Sequence, residues 1–221
     1  MLDLNTIPRN IPLILTIVTI LSNAMVGGKI KDVSDMNKLN ITPSGFTFSI
    51  WGVIYSLLLY SMFMYGNVIN INILILYAIS CILNSVWIQT WGNNMVGISS
   101  IILIFLFITL FTLLLSLKDN MILTITFMIY TTWVFIAAIL NISILLKKYK
   151  IVDDMILKYG ITIILTLLPI ILTFNINKSI IPILLTIVWA SFGIITNGDK
   201  NMIILIPIIT NILLCLYKLI N

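Results

Sequence analysis

The chain has 221 residues, of which 61% are hydrophobic and 9% charged, and its formal net charge is +5. A water-soluble domain carries roughly a quarter charged residues, so this composition excludes a globule coated by water. The sequence holds no histidine, which removes the commonest metal ligand, the usual haem axial ligand and the usual proton shuttle near neutral pH.

A helix that crosses a bilayer core needs about 20 predominantly apolar residues. Taken in chain order, the apolar runs are Ile11–Val26, Gly45–Tyr65, Ile73–Trp91, Val96–Leu117, Met121–Leu146, Ile156–Phe174, Ile180–Thr196 and Met202–Leu219. They predict an all-α fold, a polytopic transmembrane helix bundle integral to a membrane. The connections after the second, third and fourth runs are short, which makes those helices antiparallel neighbours. The first run follows Arg9 and ends near Ser22 and Ala24, in the manner of a signal peptide, but the acidic, proline-bearing start (Asp3, Pro8, Pro12) favours a retained helix. Pro169 and Pro207 fall inside late runs and predict kinks.

Charge is confined to the connections. Lys29, Lys31 and Lys38 lie between the first two runs, and Lys147, Lys148, Lys150 and Lys158 between the fifth and sixth. With alternating spans these loops share a face with Lys200, opposite Arg9, Lys118, Lys178 and Lys218. The richer face is cytoplasmic by the positive-inside rule, so both termini are expected outside. The basic excess reads as topology and headgroup contact, and no nucleic-acid partner is indicated. No carboxylate sits in the middle of a run, which weighs against ion-coupled transport. Cys81 and Cys215 fall in apolar runs and read as structural thiols.

Two short clusters break the apolar pattern: Leu83-Asn84-Ser85-Val86-Trp87-Ile88-Gln89-Thr90-Trp91, and Tyr130-Thr131-Thr132-Trp133 running on to Leu140-Asn141. A carboxamide in hydrocarbon is costly unless it is hydrogen-bonded. Residues three, four and seven apart share a helix face. That spacing joins Cys81, Asn84, Trp87 and Trp91 on the third run and Tyr130, Trp133, Ala137 and Asn141 on the fifth. Phe48, Trp51 and Tyr55 follow it on the second. The blander account is an interface belt or core packing. It explains Trp51 and Trp91 near their helix ends better than Trp87 and Trp133, which sit further in.

These same segments carry a resemblance. Pro43-Ser44-Gly45-Phe46-Thr47-Phe48-Ser49-Ile50-Trp51-Gly52-Val53-Ile54-Tyr55, Leu83-Asn84-x-x-Trp87, and Tyr130-x-x-Trp133-x-x-x-Ala137-x-x-Leu140-Asn141 occur in that order on the second, third and fifth helices. From about Ile11 to Leu146 the chain resembles the TspO/MBR family, the tryptophan-rich sensory proteins that include the mitochondrial translocator protein. The resemblance implies a five-helix core, residues 1–148, often forming a homodimer, with its pocket covered by the loop joining helices one and two. Residues 149–221 would then be a C-terminal extension of three helices.

Carried over by motif position, the ligand-binding residues are Trp51, Tyr55, Asn84, Trp87, Trp133 and Ala137. The implied ligand is a hydrophobic polycyclic molecule, a porphyrin or other tetrapyrrole or a sterol, with no obligatory cofactor. Neither a metal site nor a catalytic residue is assigned. Thr42 and Ile129 stand where the family often has prolines. The competing class is a transporter or channel for a small solute, with a polar track through Asn84, Gln89, Thr90, Thr131, Thr132 and Asn141.

Overall fold

The structure, a computed structural model, describes residues 10–67, 69–117, 120–175, 179–197 and 202–220. Among them there is no strand. The helices are α1 (Asn10–Met36), α2 (Ile50–Tyr65), α3 (Ile71–Gly92), α4 (Val96–Ser116), α5 (Met121–Lys148), α6 (Asp154–Asn175), α7 (Ile181–Thr196) and α8 (Leu205–Ile220), with 3-10 turns at Gly45–Ser49 and Met202–Ile204. Arg9, Lys118, Lys178 and Lys200, which enter the expected orientation, lie outside the described residues.

Among the described residues six helical segments are long and apolar enough to cross a membrane: α1, Gly45–Tyr65, α3, α4, α5 and α6. The protein is thus an integral, multi-pass membrane protein. Helices α7 and α8 have 16 residues each, about 24 Å of helical rise, against a hydrocarbon core of about 30 Å. Hydropathy alone reads these two as spans of the same kind. Pro182 lies in the first turn of α7, where its missing N–H costs nothing. Helix α1 runs ten residues past Val26, its expected end, because a helix continues through polar sequence where the apolar run has stopped; Val33 remains buried at 3% exposure.

Compactness divides the chain into two units, Met1–Val33 with Ile50–Ala138 and Ser34–Ser49 with Ile139–Asn221, so α5 enters both. In the first unit, pairings across helices report their directions. Thr16 of α1 bonds Tyr77 of α3 and Asn23 bonds Asn84, both at a separation of 61 residues, so α1 and α3 run parallel. Trp51 meets Tyr130 while Ser61 bonds Thr126, so α2 and α5 run antiparallel. This is the alternation of an up-and-down bundle. Helix α4 packs on α3 through a stripe of Ser99, Ser100, Leu103, Leu106, Leu110 and Leu113, all buried, while Ile101, Ile104, Phe105 and Ile108 point outward. In lipid both faces are apolar, and close packing singles out the inner one. The α3–α4 turn is tight because Asn94 adopts the left-handed conformation at φ 57°. Its N–H bonds Trp91 O and that of Met95 bonds Thr90 O, satisfying the last carbonyls of α3.

The second unit is held differently. Ile180, Leu184, Leu214 and Cys215 form a small apolar core between α7 and α8. Pro169 lies inside α6 and has no N–H for Leu165 O four residues back. Asn211 of α8 supplies that donor: its Nδ2 bonds Leu165 O at 3.1 Å and Pro207 O at 2.7 Å. The segment before α2 packs on α7. The Trp189 indole donates to Thr47 O at 2.9 Å, Ser44 N–H to Gly193 O at 2.9 Å, and the Asn197 amide to Thr42 O. Phe46 meets the rings of Trp189 and Phe192 edge-on. Gly193 permits this approach, since a Cβ there would overlap the Thr47 side chain.

Candidate functional site

Helix α2 starts directly after the 3-10 turn, which places Trp51 and Tyr55 on its first two turns, one above the other. Their rings stack with centroids 5.5 Å apart and 25° between planes. Trp51 also lies 5.4 Å from Trp87 of α3 and meets Tyr130 of α5 edge-on at 6.0 Å. Trp51 is therefore the centre of a ring group drawn from three helices. Trp87 and Tyr130 are buried, whereas Trp51 and Tyr55 are half-buried and give the group its accessible face. An interface belt does not describe these side chains. Trp51 is engaged on three sides, and Trp91, near the end of α3, is only 7% exposed.

Beside the rings lies a buried hydrogen-bonded cluster. Asn84 is fully buried. Its Oδ1 accepts from Asn23 Nδ2 at 2.8 Å and from the Tyr55 hydroxyl at 3.3 Å, and its Nδ2 donates to the Tyr130 hydroxyl at 2.7 Å. Asn23 Nδ2 also donates to Thr19 O one turn back on α1, at 2.9 Å. Three of the four bonding positions of the Asn84 amide are thus filled from within the protein. The Asn84 amide, expected among the ligand-binding residues, is the hub that joins α1, α2, α3 and α5.

Trp51, Tyr55, Asn84 and Trp87 are brought together by these contacts. Trp133 is buried at 2% exposure and Ala137 is half-buried, following Tyr130 on α5 at the spacing of one helix face. Two further members joined the group. Tyr130 belongs to the aromatic stripe of α5 but had no place among the expected binding residues. Asn23 is the other: Thr16, Thr19 and Asn23 make a polar stripe at helical spacing within an apolar run, the same signal that marks Asn84. Of the residues expected to line a polar track, Asn84, Thr131, Thr132 and Asn141 are buried. Gln89 is exposed, and the hydroxyls of Thr90 and Thr132 bond carbonyls of their own helices. Among the described residues no group of histidine, cysteine, aspartate and glutamate gathers to hold a metal ion.

A family model described as TSPO-like protein matches residues 10–220. The chain belongs to the TSPO-like family. No curated protein and no solved structure matches it. The family match runs past α5 and takes in α6, α7 and α8, so the C-terminal helices of this TSPO-like protein fall within the matched region together with the aromatic group of the first unit.

Proposed function

We propose that this TSPO-like membrane protein binds a hydrophobic polycyclic ligand, porphyrin-like or sterol-like, against the ring group centred on Trp51, and acts in sensing, regulating or handling that molecule. The observation that carries the reading is the convergence of Trp51, Tyr55, Trp87 and Tyr130 from three helices, with the Trp51–Tyr55 pair left half-buried. Indole and phenol faces suit a flat ring, and each stacked pair adds about 0.5–1.5 kcal/mol beyond the area it buries. Trp133 and the small Ala137, on the same face of α5 as Tyr130, extend the apolar lining. Binding, orientation and exclusion of water are what these side chains supply.

The test is tryptophan fluorescence of the purified protein in detergent, titrated with protoporphyrin IX. Saturable quenching is expected, weakened about fivefold or more in affinity by Trp51→Leu, which removes the central stacking surface. Quenching that rises linearly without saturation, and is the same in Trp51→Leu, would overturn the proposal.

A further inference from the structure

The turn that joins α5 to α6 has a geometry that its sequence does not favour. Lys150 N–H bonds Lys147 O at 2.9 Å, and Ile151 N–H bonds Leu146 O at 2.9 Å. These are the paired bonds that close a helix on a left-handed residue. That residue is Lys150, at φ 56°. Glycine is the usual occupant, because it takes this conformation without the penalty a Cβ brings. The lysine therefore stands there at a cost to stability. The α5 dipole favours cations in the last turn, which holds Lys147 and Lys148, but it does not call for one at the left-handed position. A hydrophobic residue just after such a turn often folds back onto its helix. Here Ile151 is 66% exposed, and Tyr149, before Lys150, is 67% exposed.

The turn thus alternates cations with outward apolar side chains: Lys148, Tyr149, Lys150, Ile151, all exposed. Met155, Ile156 and Tyr159 continue the exposed apolar surface into α6. Asp154 is held by Lys147 at 2.6 Å, which leaves the exposed pair Lys148 and Lys150 beside one exposed carboxylate, Asp153. At the end of membrane-crossing helices such a surface suits the level where headgroups meet acyl chains. Aromatic and aliphatic side chains enter the acyl boundary there, and lysine stems carry their charge up to the phosphates.

We infer that the α5–α6 turn is a binding site for an anionic phospholipid, with Lys148 and Lys150 taking the headgroup phosphate while Tyr149 and Ile151 enter the acyl boundary beside it. Net charge is the basis of selection. A zwitterionic headgroup carries the same phosphate together with its own cation, so it gains less from the two lysines. The inference does not depend on ring binding.

The test is mass spectrometry of the intact full-length protein released from detergent micelles, after equilibration with equimolar phosphatidylglycerol and phosphatidylcholine of the same acyl chains. The wild-type protein is expected to retain phosphatidylglycerol about fivefold or more over phosphatidylcholine. Lys150→Gly removes the charge and relieves the left-handed residue, so the preference should fall severalfold while the thermal midpoint does not fall. Lys148→Gln combined with Lys150→Gly should bring the ratio close to one. Lys29→Gln with Lys31→Gln, which discharges part of α1 instead, should leave it within about twofold of wild type. A wild-type ratio near one would overturn the inference, as would a preference that survives the loss of Lys148 and Lys150. A preference lost equally with Lys29 and Lys31, or one that falls in Lys150→Gly only along with the midpoint, would also overturn it. Should the double variant at the turn fail to fold, Lys150→Gly alone decides.

Discussion

Among the described residues two asparagines are completely buried, Asn84 in the first unit and Asn211 in the second, and they do opposite things. Asn211 repairs a helix. Its amide answers the carbonyl of Leu165 that Pro169 leaves without a donor, and its partners are backbone atoms alone. Asn84 sits in a regular helix with no broken ladder beside it, and all of its hydrogen bonds go to side chains: Asn23, Tyr55 and Tyr130. The same contrast separates Trp189, whose indole is bonded to Thr47 O, from Trp87, whose indole has no partner. A buried polar group beside a proline or a loop is accounted for by the backbone it satisfies. One that lies among other polar side chains in an unbroken helix has no such account, and it is there that a ligand site is to be sought.

Substitution can break this contrast, and the largest effect is expected at the hub. Hydrogen bonds within membrane bundles average about 0.6 kcal/mol each. Asn84→Leu removes three, so a loss of about 2 kcal/mol is expected, read as the midpoint of unfolding in a detergent series. Stability unchanged in Asn84→Leu would show that the cluster contributes nothing to the bundle.

A smaller effect is expected at Asn211. Asn211→Leu removes two bonds but also removes Oδ1, a buried acceptor with no partner, so the net loss should be about 1 kcal/mol or less. Porphyrin affinity should not move. A change in affinity comparable to that of Asn84→Leu would erase the distinction between the two asparagines.

The smallest effect is expected at Trp189. Trp189→Phe gives up one bond, about 0.6 kcal/mol, and keeps a ring against Phe46. Backbone amide exchange should quicken over residues 42–49, where the segment before α2 is tied to α7. Unchanged exchange there would mean that the remaining contacts of Ser44 and Asn197 suffice.

Much of the fold was legible in the sequence because hydropathy and helical spacing are local. The helices that cross the membrane, and the stripes of Asn84, Trp87 and Trp91 or Tyr130 and Trp133, follow from composition and from 3.6 residues per turn. The shortness of α7 was already in its apolar run, since Ile180–Thr196 is nearly the same segment as the helix Ile181–Thr196. Of the candidate site, Trp51, Tyr55, Asn84 and Trp87 were named from spacing and family motif, and here Trp51 touches Tyr55 and Trp87 while Tyr55 bonds Asn84. Asn23 carries a weaker signal in the sequence, a single amide near the end of an apolar run with no tryptophan beside it. The role of Trp189 was not legible, because nothing beside it in the chain announces a bond to Thr47.

What the sequence by itself determined is the class of the protein, its helices and the face of each helix that carries aromatic and polar side chains. These are properties of a residue and its near neighbours along the chain. Only the tertiary structure decided which partner each buried group would have: Asn23 rather than another asparagine for Asn84, Leu165 O for Asn211, Thr47 O for Trp189. The physical reason is that a hydrogen bond is specific in angle and distance but indifferent to sequence separation. Several amides could have answered Asn84, and the packing of α1 parallel to α3 brought one of them within reach.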